Sequence, residues 1–393
     1  MESGTIARPW LALTSVVTAT VLGIMGTDLV LPAVPSLPET LGGNTAEAQL
    51  VLAAYVGGTS LGLLAYGALG DRWATRRLFI ASLILTGVVS FACAFAPSVW
   101  MLIALRAVQG AVASAPAVFA PAIVRSMFDE AGAIRAIGTL GSIESLAPAL
   151  APILGVWLLA LGGWTLSFEL MGTIALLLAV LNVSLPLIPQ TSRRVAGSYG
   201  RLITDPVYLR YALSQAFVLG GLLVFVFGAP AVMVHSLGGD LTDFVTMQIC
   251  GIATFILAAN ASGRLVARFG VEPMIMFGTL LATAGSLAML AYAFAGGVHP
   301  LVVTALFVPI NTGLGLRGPP GFYRAVLASH GDDARGSALV ILFIMLASAG
   351  GTAVVAPFIK QGLAPLACAA AVLEAAALAC LLLPRMSDAP ASS

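Results

Sequence analysis

The sequence predicts an all-α polytopic membrane protein, with about twelve transmembrane helices in two pseudo-symmetric six-helix halves and both termini cytoplasmic. Three observations carry that expectation. Hydrophobic residues make up 59% of the 393-residue chain and charged residues only 9%, against roughly 25% charged in a soluble globule. The apolar residues gather into runs of about 20, the length a helix needs to cross a bilayer. A charged, glycine-containing hinge, Gly67-Ala68-Leu69-Gly70-Asp71-Arg72-Trp73-Ala74-Thr75-Arg76-Arg77, has a weaker echo in Gly263-Arg264-Leu265-Val266-Ala267-Arg268-Phe269-Gly270. Gly67 and Arg72 match Gly263 and Arg268 at one constant offset.

Taken in order, the first run, 10–33, is longer than a signal-peptide core and has no small-residue cleavage site after it, so it reads as a retained span. Runs 48–69 and 78–96 flank the hinge, and the arginines of the hinge place it on the cytoplasmic side. Spans at 100–124, 136–160 and 166–188 complete the first half. The second half reads as 211–234, 244–263, 273–295, 300–323, 336–359 and 365–383. Helices are the only suitable elements, because runs this long satisfy their own backbone in lipid and lack the alternation of barrel strands. With a cytoplasmic N-terminus, Arg125, Arg135, Arg193, Arg194, Arg201, Arg210, Arg264, Arg268, Arg324, Arg335 and Arg385 all fall on the hinge side, and Lys360 alone falls outside. The outer loops carry Glu39, Glu47, Asp240 and Asp243 instead. The expected division is an N-terminal half at 1–190, a cytoplasmic linker at 191–210 and a C-terminal half at 211–393. In a membrane chain, one hinge repeated in two related halves implies a transporter.

Other classes are disfavoured. The net charge of +1 comes with no basic tract, so nucleic acid is not an expected partner. Cys93, Cys250, Cys368 and Cys380 lie inside apolar runs as small hydrophobes, without metal spacing or a disulfide framework. No nucleophile, metal or phosphate-loop constellation occurs on the short loops, which argues against an enzyme and implies no cofactor. The expected partners are the lipid bilayer, a small-molecule substrate and protons, and the expected state is a monomer.

Four segments carry a family resemblance. The hinge resembles the loop-2/3 signature of the major facilitator superfamily, through Gly67, Leu69, Asp71, Arg72 and Arg77, with Ala74 where a glycine is usual. Asp28-Leu29-Val30-Leu31-Pro32-Ala33-Val34-Pro35 resembles the first-span D-x-x-x-P-A-x-P of its twelve-span drug:proton antiporters, especially the Bcr/CflA and chloramphenicol/florfenicol exporter branch. Leu102 to Gly110 matches the fourth-span L-x-x-x-R-x-x-Q-G, and Ala147 to Gly155 resembles the fifth-span antiporter motif, with Pro152 and Gly155 in place. The resemblance implies the two-half fold of that superfamily, proton-coupled efflux of lipophilic molecules by alternating access, and residence in the cell (inner) membrane. It also implies gating roles for Gly67, Asp71, Arg72, Arg77, Pro148, Pro152 and Gly155. The same helices would accommodate a transporter of one specific metabolite, and a receptor or scaffold without transport is the remaining alternative.

Ionisable groups inside spans are functional candidates because they are expensive in lipid. Asp28 and Arg106 both lie roughly 7–10 Å below the outer surface at 1.5 Å rise per residue. They are expected to pair, so that gaining and losing Arg106 changes the hold of Asp28 on a proton; the alternative is a static pair that joins two helices. Glu144 is the third proton-coupling candidate. Thr20 and Ile24 share the face of Asp28, and Gln109 and Ala113 share that of Arg106. With Phe217, Gln215, Phe225, Gln248 and Asn311 from the second half they form the expected substrate wall, apolar with a few polar contacts. Arg317, at a proline-rich kink in span ten, and Glu374, in span twelve, receive no role.

Overall fold

The computed structural model describes residues 9–70, 72–185, 188 and 197–386. The helices of the first half are α1 (Pro9–Asp28), α2 (Leu37–Leu41), α3 (Thr45–Leu69), α4 (Thr75–Ala94), α5 (Val99–Ala113), α6 (Ala115–Met127), α7 (Glu130–Gly162) and α8 (Thr165–Ser184). Then come α9 (Tyr199–Thr204), α10 (Pro206–His235), α11 (Leu241–Phe269), α12 (Val271–Phe294), α13 (Pro300–Leu327), α14 (Asp333–Val355) and α15 (Leu363–Cys380). Among the described residues, eleven helical segments are long and apolar enough to cross a membrane, and the bent α7 makes twelve.

Three spans of the first half are interrupted where proline dictates. α1 stops at Asp28 and continues as a 3-10 stretch, Leu31–Ser36. Pro32 has no N–H to offer the Asp28 carbonyl, and Pro35 repeats the defect one turn later. The single helix expected at 100–124 is split at Ser114, because Pro116 opens α6 and cannot donate to the carbonyl of Val112. α7 bends between Ala147 and Leu150, around Pro148. The stretch expected as linker is helical at its far end, where α9 and the first turn of α10 lie.

Contacts group the chain into two compact units, one of 1–128, 143–197 and 332–338, the other of 129–142, 198–331 and 339–393. Within the first, α3 packs along α5 and α4 along α8. Within the second, α11 and α12 pack along α13, and α15 packs along α10 and α12. The acidic residues expected in outer loops start helices. Asn44 and Glu47 form a capping box on α3, and Asp240 and Asp243 form one on α11, at the same offset that relates Gly67 to Gly263. The internal repeat therefore extends from the hinge to the opposite end of the same helix.

The α3–α5 seam is a backbone contact. A Cβ on Gly58, Gly62 or Gly110 would collide with the carbonyl of Ala107, Ala111 or Tyr55 respectively. Small residues one turn apart on both helices allow this close approach, which is how helices associate where lipid offers no hydrophobic drive. That seam fixes Arg106 and Tyr55 relative to one another.

Candidate functional site

The end of α1 is where the predicted residues meet. Because the helix stops there, Val30 N–H donates to the Thr27 carbonyl and leaves the Gly26 carbonyl without its usual donor. Arg106 supplies one: its Nη2 donates to Gly26 O at 2.9 Å. The same guanidinium donates through Nε to Val51 O at 3.3 Å and through Nη1 to Gln109 Oε1 at 2.7 Å. Its carbon lies 4.1 Å from the centre of the Tyr55 ring and 5.7 Å from that of Phe168, cation–π contacts that strengthen when desolvated. Arg106 is fully buried and joins α1, α3, α5 and α8 through one planar group. A cation at the C-terminal end of α1 also complements the helix dipole.

The expected ion pair between Asp28 and Arg106 is not formed. The guanidinium is occupied by carbonyl and amide oxygens, because termination of α1 exposes the Gly26 carbonyl nearer to it than the Asp28 carboxyl. Asp28 is half-buried and makes no hydrogen bond or ion pair among the described residues. Gly155 brings α7 to the same place. A Cβ there would collide with the Leu29 carbonyl and come within 3.1 Å of the Pro32 ring. The first-span and fifth-span motifs thus pack on one another, immediately beyond Asp28. Glu144, earlier on α7, is half-buried and likewise has no hydrogen-bond or ion partner among the described residues.

Gln109, expected in the substrate wall, is engaged in supporting Arg106. It is buried, accepts from Arg106 and donates Nε2 to Ser90 Oγ at 2.7 Å, extending the network to α4, while Cys93 Sγ approaches its Oε1 at 3.8 Å. Tyr55, which the sequence did not single out, donates its hydroxyl to Gly23 O at 2.7 Å. Its signal was its place one turn before Gly58 on the glycine face of α3.

Other expected wall residues are also interior. Thr20 is buried and donates to Val16 O, and Ala113 presents its carbonyl to Gly23. Phe225 stacks on Phe307 with ring centres 5.5 Å apart inside the core of the second unit. Asn311 donates to Phe307 O and faces Gly251, and Gln215 lies beside Arg317. Thr20, Phe225 and Asn311 thus have their side chains engaged within their own unit. Ile24, Phe217 and Gln248 remain half-buried.

At the hinge, Gly67 is buried in the last turns of α3, while Arg72 and Arg77 are exposed. Asp71 lies outside the described residues, as do the side chain of Pro148 and residues 191–196 of the expected linker; Pro152 is half-buried. The hinge is tied down by Arg76, whose Nη2 donates to Asn182 O at 2.9 Å and Val183 O at 3.4 Å, capping the end of α8. Arg125 pairs with Asp333 at 2.8 Å between α6 and the first turn of α14.

Comparison with known proteins bears on the family and the fold. The profile of the Major Facilitator Superfamily matches residues 16–384. An uncharacterized MFS-type transporter, YdgK, of Bacillus subtilis is 28% identical over 74% of this chain and 75% of its own length. A chloramphenicol resistance protein of Pseudomonas aeruginosa is 29% identical over 68% of this chain and 65% of its own length, just under two thirds. The solved structure of the MFS transporter FucP in the outward conformation shares the fold, with a TM-score of 0.73 over 95% of this chain and 99% of that one at 13% identity. The chain is a multi-pass membrane transporter and not an enzyme, and it belongs to the Major Facilitator Superfamily.

Proposed function

We propose that this chain is a proton-coupled secondary active exporter, a drug:proton antiporter that moves lipophilic small molecules out across the cell (inner) membrane by alternating access, as a monomer. The observation that carries the reading is Asp28. A carboxyl inside a span is costly and for that reason a functional candidate, and this one stands at the broken end of α1 with no hydrogen-bond or ion-pair partner among the described residues, while the Arg106 guanidinium is engaged by Gly26, Val51 and Gln109. Freedom from a fixed partner lets Asp28 exchange a proton. Arg106 holds the surrounding helix ends, so that a change at Asp28 is felt by α1, α3 and α5 together. Gly155 gives α7 direct contact with that end, a route by which proton exchange alters the packing of a bent helix. The relative named for chloramphenicol resistance supports a drug as the substrate; Ile24 in the first unit, and Phe217 and Gln248 in the second, are half-buried.

The test is uptake of radiolabelled chloramphenicol, and of lipophilic cations identified by a thermal-shift screen, into everted vesicles containing the protein. Uptake is expected to collapse on adding a protonophore. Uptake that survives the protonophore and follows a sodium gradient would reject proton coupling; a screen in which only one small metabolite stabilises the protein would replace the drug with that metabolite.

A further inference from the structure

The second half contains a buried ionisable group that the proposed function does not use. Glu374 on α15 is fully buried and neither of its carboxyl oxygens has a hydrogen-bond partner among the described residues. Arg317 on α13 is also fully buried and within electrostatic reach of Glu374. Its donors nevertheless go elsewhere: Nη1 donates to Ser214 O at 3.0 Å and Nη2 approaches Ser214 Oγ at 3.3 Å, on α10. Arg317 Nε, Gln215 Oε1 and Ser286 Oγ are likewise buried and without a hydrogen-bond partner among the described residues.

The residues that carry these atoms lie on α10, α12, α13 and α15, where α10 and α12 each pack against both α13 and α15. Gln215 Oε1 and Arg317 Nη2 lie 2.8 and 3.0 Å from where a Cβ on Gly321 would stand, so glycine keeps the space open. Thr283 on α12 donates to the Glu374 carbonyl at 3.2 Å, and Ser286 is one turn further along α12. Gly221 on α10 has the Glu374 side chain 3.7 Å from its Cβ position. Pro319 and Pro320 have no N–H, so the carbonyls of Gly315 and Leu316, next to Arg317, lose their intrahelical donors. Cys380 of α15 is within electrostatic reach of the same guanidinium, and among the described residues Arg317 is the one charged group that acts on Glu374.

An ionised carboxylate beside a buried guanidinium closes charge-assisted fork bonds to it, whereas here the fork is turned towards Ser214. Buried polar atoms without protein partners are satisfied by ordered water. We propose that Glu374 is a reversible proton-binding carboxyl in a hydrated pocket inside the second half, with Arg317 as the group that changes partner. With the proton bound, Arg317 donates to Ser214, as observed. When the proton leaves to solvent, the guanidinium turns to the carboxylate and draws α13 towards α15. The chain then has one proton site in each half: Asp28 near Arg106, and Glu374 near Arg317.

The experiment is pH-difference infrared spectroscopy of the full-length protein in lipid nanodiscs, in water and deuterium oxide. It compares the native sequence with Asp28→Asn, Glu374→Gln and Glu374→Asp. A protonated-carboxyl band is expected to grow as the pH falls from roughly 9 to 5, to persist in Asp28→Asn and to be lost in Glu374→Gln. In Glu374→Asp, the variant that keeps a carboxyl if glutamine impairs folding, the band shifts in frequency and is retained. Because Asp28→Asn retains it, the result does not depend on the proton site proposed for the first half. Two results would overturn the assignment. One is a band removed by Glu374→Gln whose amplitude is constant over that range, meaning a permanently neutral acid. The other is a set of difference spectra that both Glu374 variants leave unchanged, meaning a fixed ion pair.

Discussion

Replacing Arg106 by methionine removes a guanidinium that serves three acceptors on three helices: Gly26 O, Val51 O and Gln109 Oε1. A buried acceptor left without its donor costs about 1–3 kcal/mol, so three give an upper bound of roughly 9 kcal/mol. The true figure is smaller. Val51 O lies within α3 and Gln109 Oε1 keeps its contact with Cys93, which leaves Gly26 O as the fully orphaned atom. Removing a buried cation also relieves its desolvation. The expected net destabilisation is about 1–3 kcal/mol, the cost of the one acceptor left orphaned. At about 2 °C per kcal/mol for a chain of this size, the midpoint of thermal unfolding falls by roughly 2–6 °C. Arg106→Lys keeps the charge but not the planar fork, and an ammonium cannot reach three helices at once. It is expected to recover less than half of the loss. Tryptophan fluorescence during a thermal ramp in detergent reads both variants. A midpoint unchanged in Arg106→Met, or Arg106→Lys indistinguishable from the native protein, would refute the view that this guanidinium holds the end of α1.

Three further outcomes follow from the same geometry. Gly110→Ala drives a Cβ into the Tyr55 carbonyl and is expected to cost about 1–3 kcal/mol by overpacking, seen as a lower unfolding midpoint; an unchanged midpoint would mean the α3–α5 seam can open freely. Arg76→Ala uncaps the end of α8 and is expected to cost about 1 kcal/mol, while raising the labelling rate of a cysteine placed at Trp73; unchanged labelling would show that the hinge is held by something else. Glu144→Gln is expected to keep substrate-driven proton release, with a narrower preference for cationic substrates in a competition assay.

How far the sequence could be read depended on whether a feature is local. Twelve spans were legible because each apolar run reports its own length, and Arg106, Gln109 and Gly110 were legible because their spacing places them on one face of one helix. The pairing of Asp28 with Arg106 was inferred from depth alone. Depth does not reveal that Pro32 and Pro35 end the helix at Asp28, which turns the Gly26 carbonyl into the better acceptor. The same limit applies to Phe225 and Asn311, whose helical faces are clear but whose neighbours, Phe307 and Gly251, come from other helices. Arg76 was counted only as a topogenic charge, because the helix end it caps lies far along the chain. Tyr55 and Ser90 escaped notice because an uncharged polar group in a span carries little signal until its partner is known. Arg317 and Glu374 were conspicuous as charges and unreadable as a pair for that reason.

Substrate-driven proton movement through Asp28 tests the proposed function most directly. Purified protein is reconstituted into liposomes with an imposed pH gradient reported by a fluorescent amine, and chloramphenicol is added to the native protein, Asp28→Asn and Glu144→Gln. The drug is expected to dissipate the gradient with the native protein and with Glu144→Gln, and to leave it intact with Asp28→Asn, which still binds the drug in a thermal-shift assay. A gradient dissipated normally by Asp28→Asn, with Glu144→Gln inert, would contradict the account and move the proton site from the end of α1 to α7.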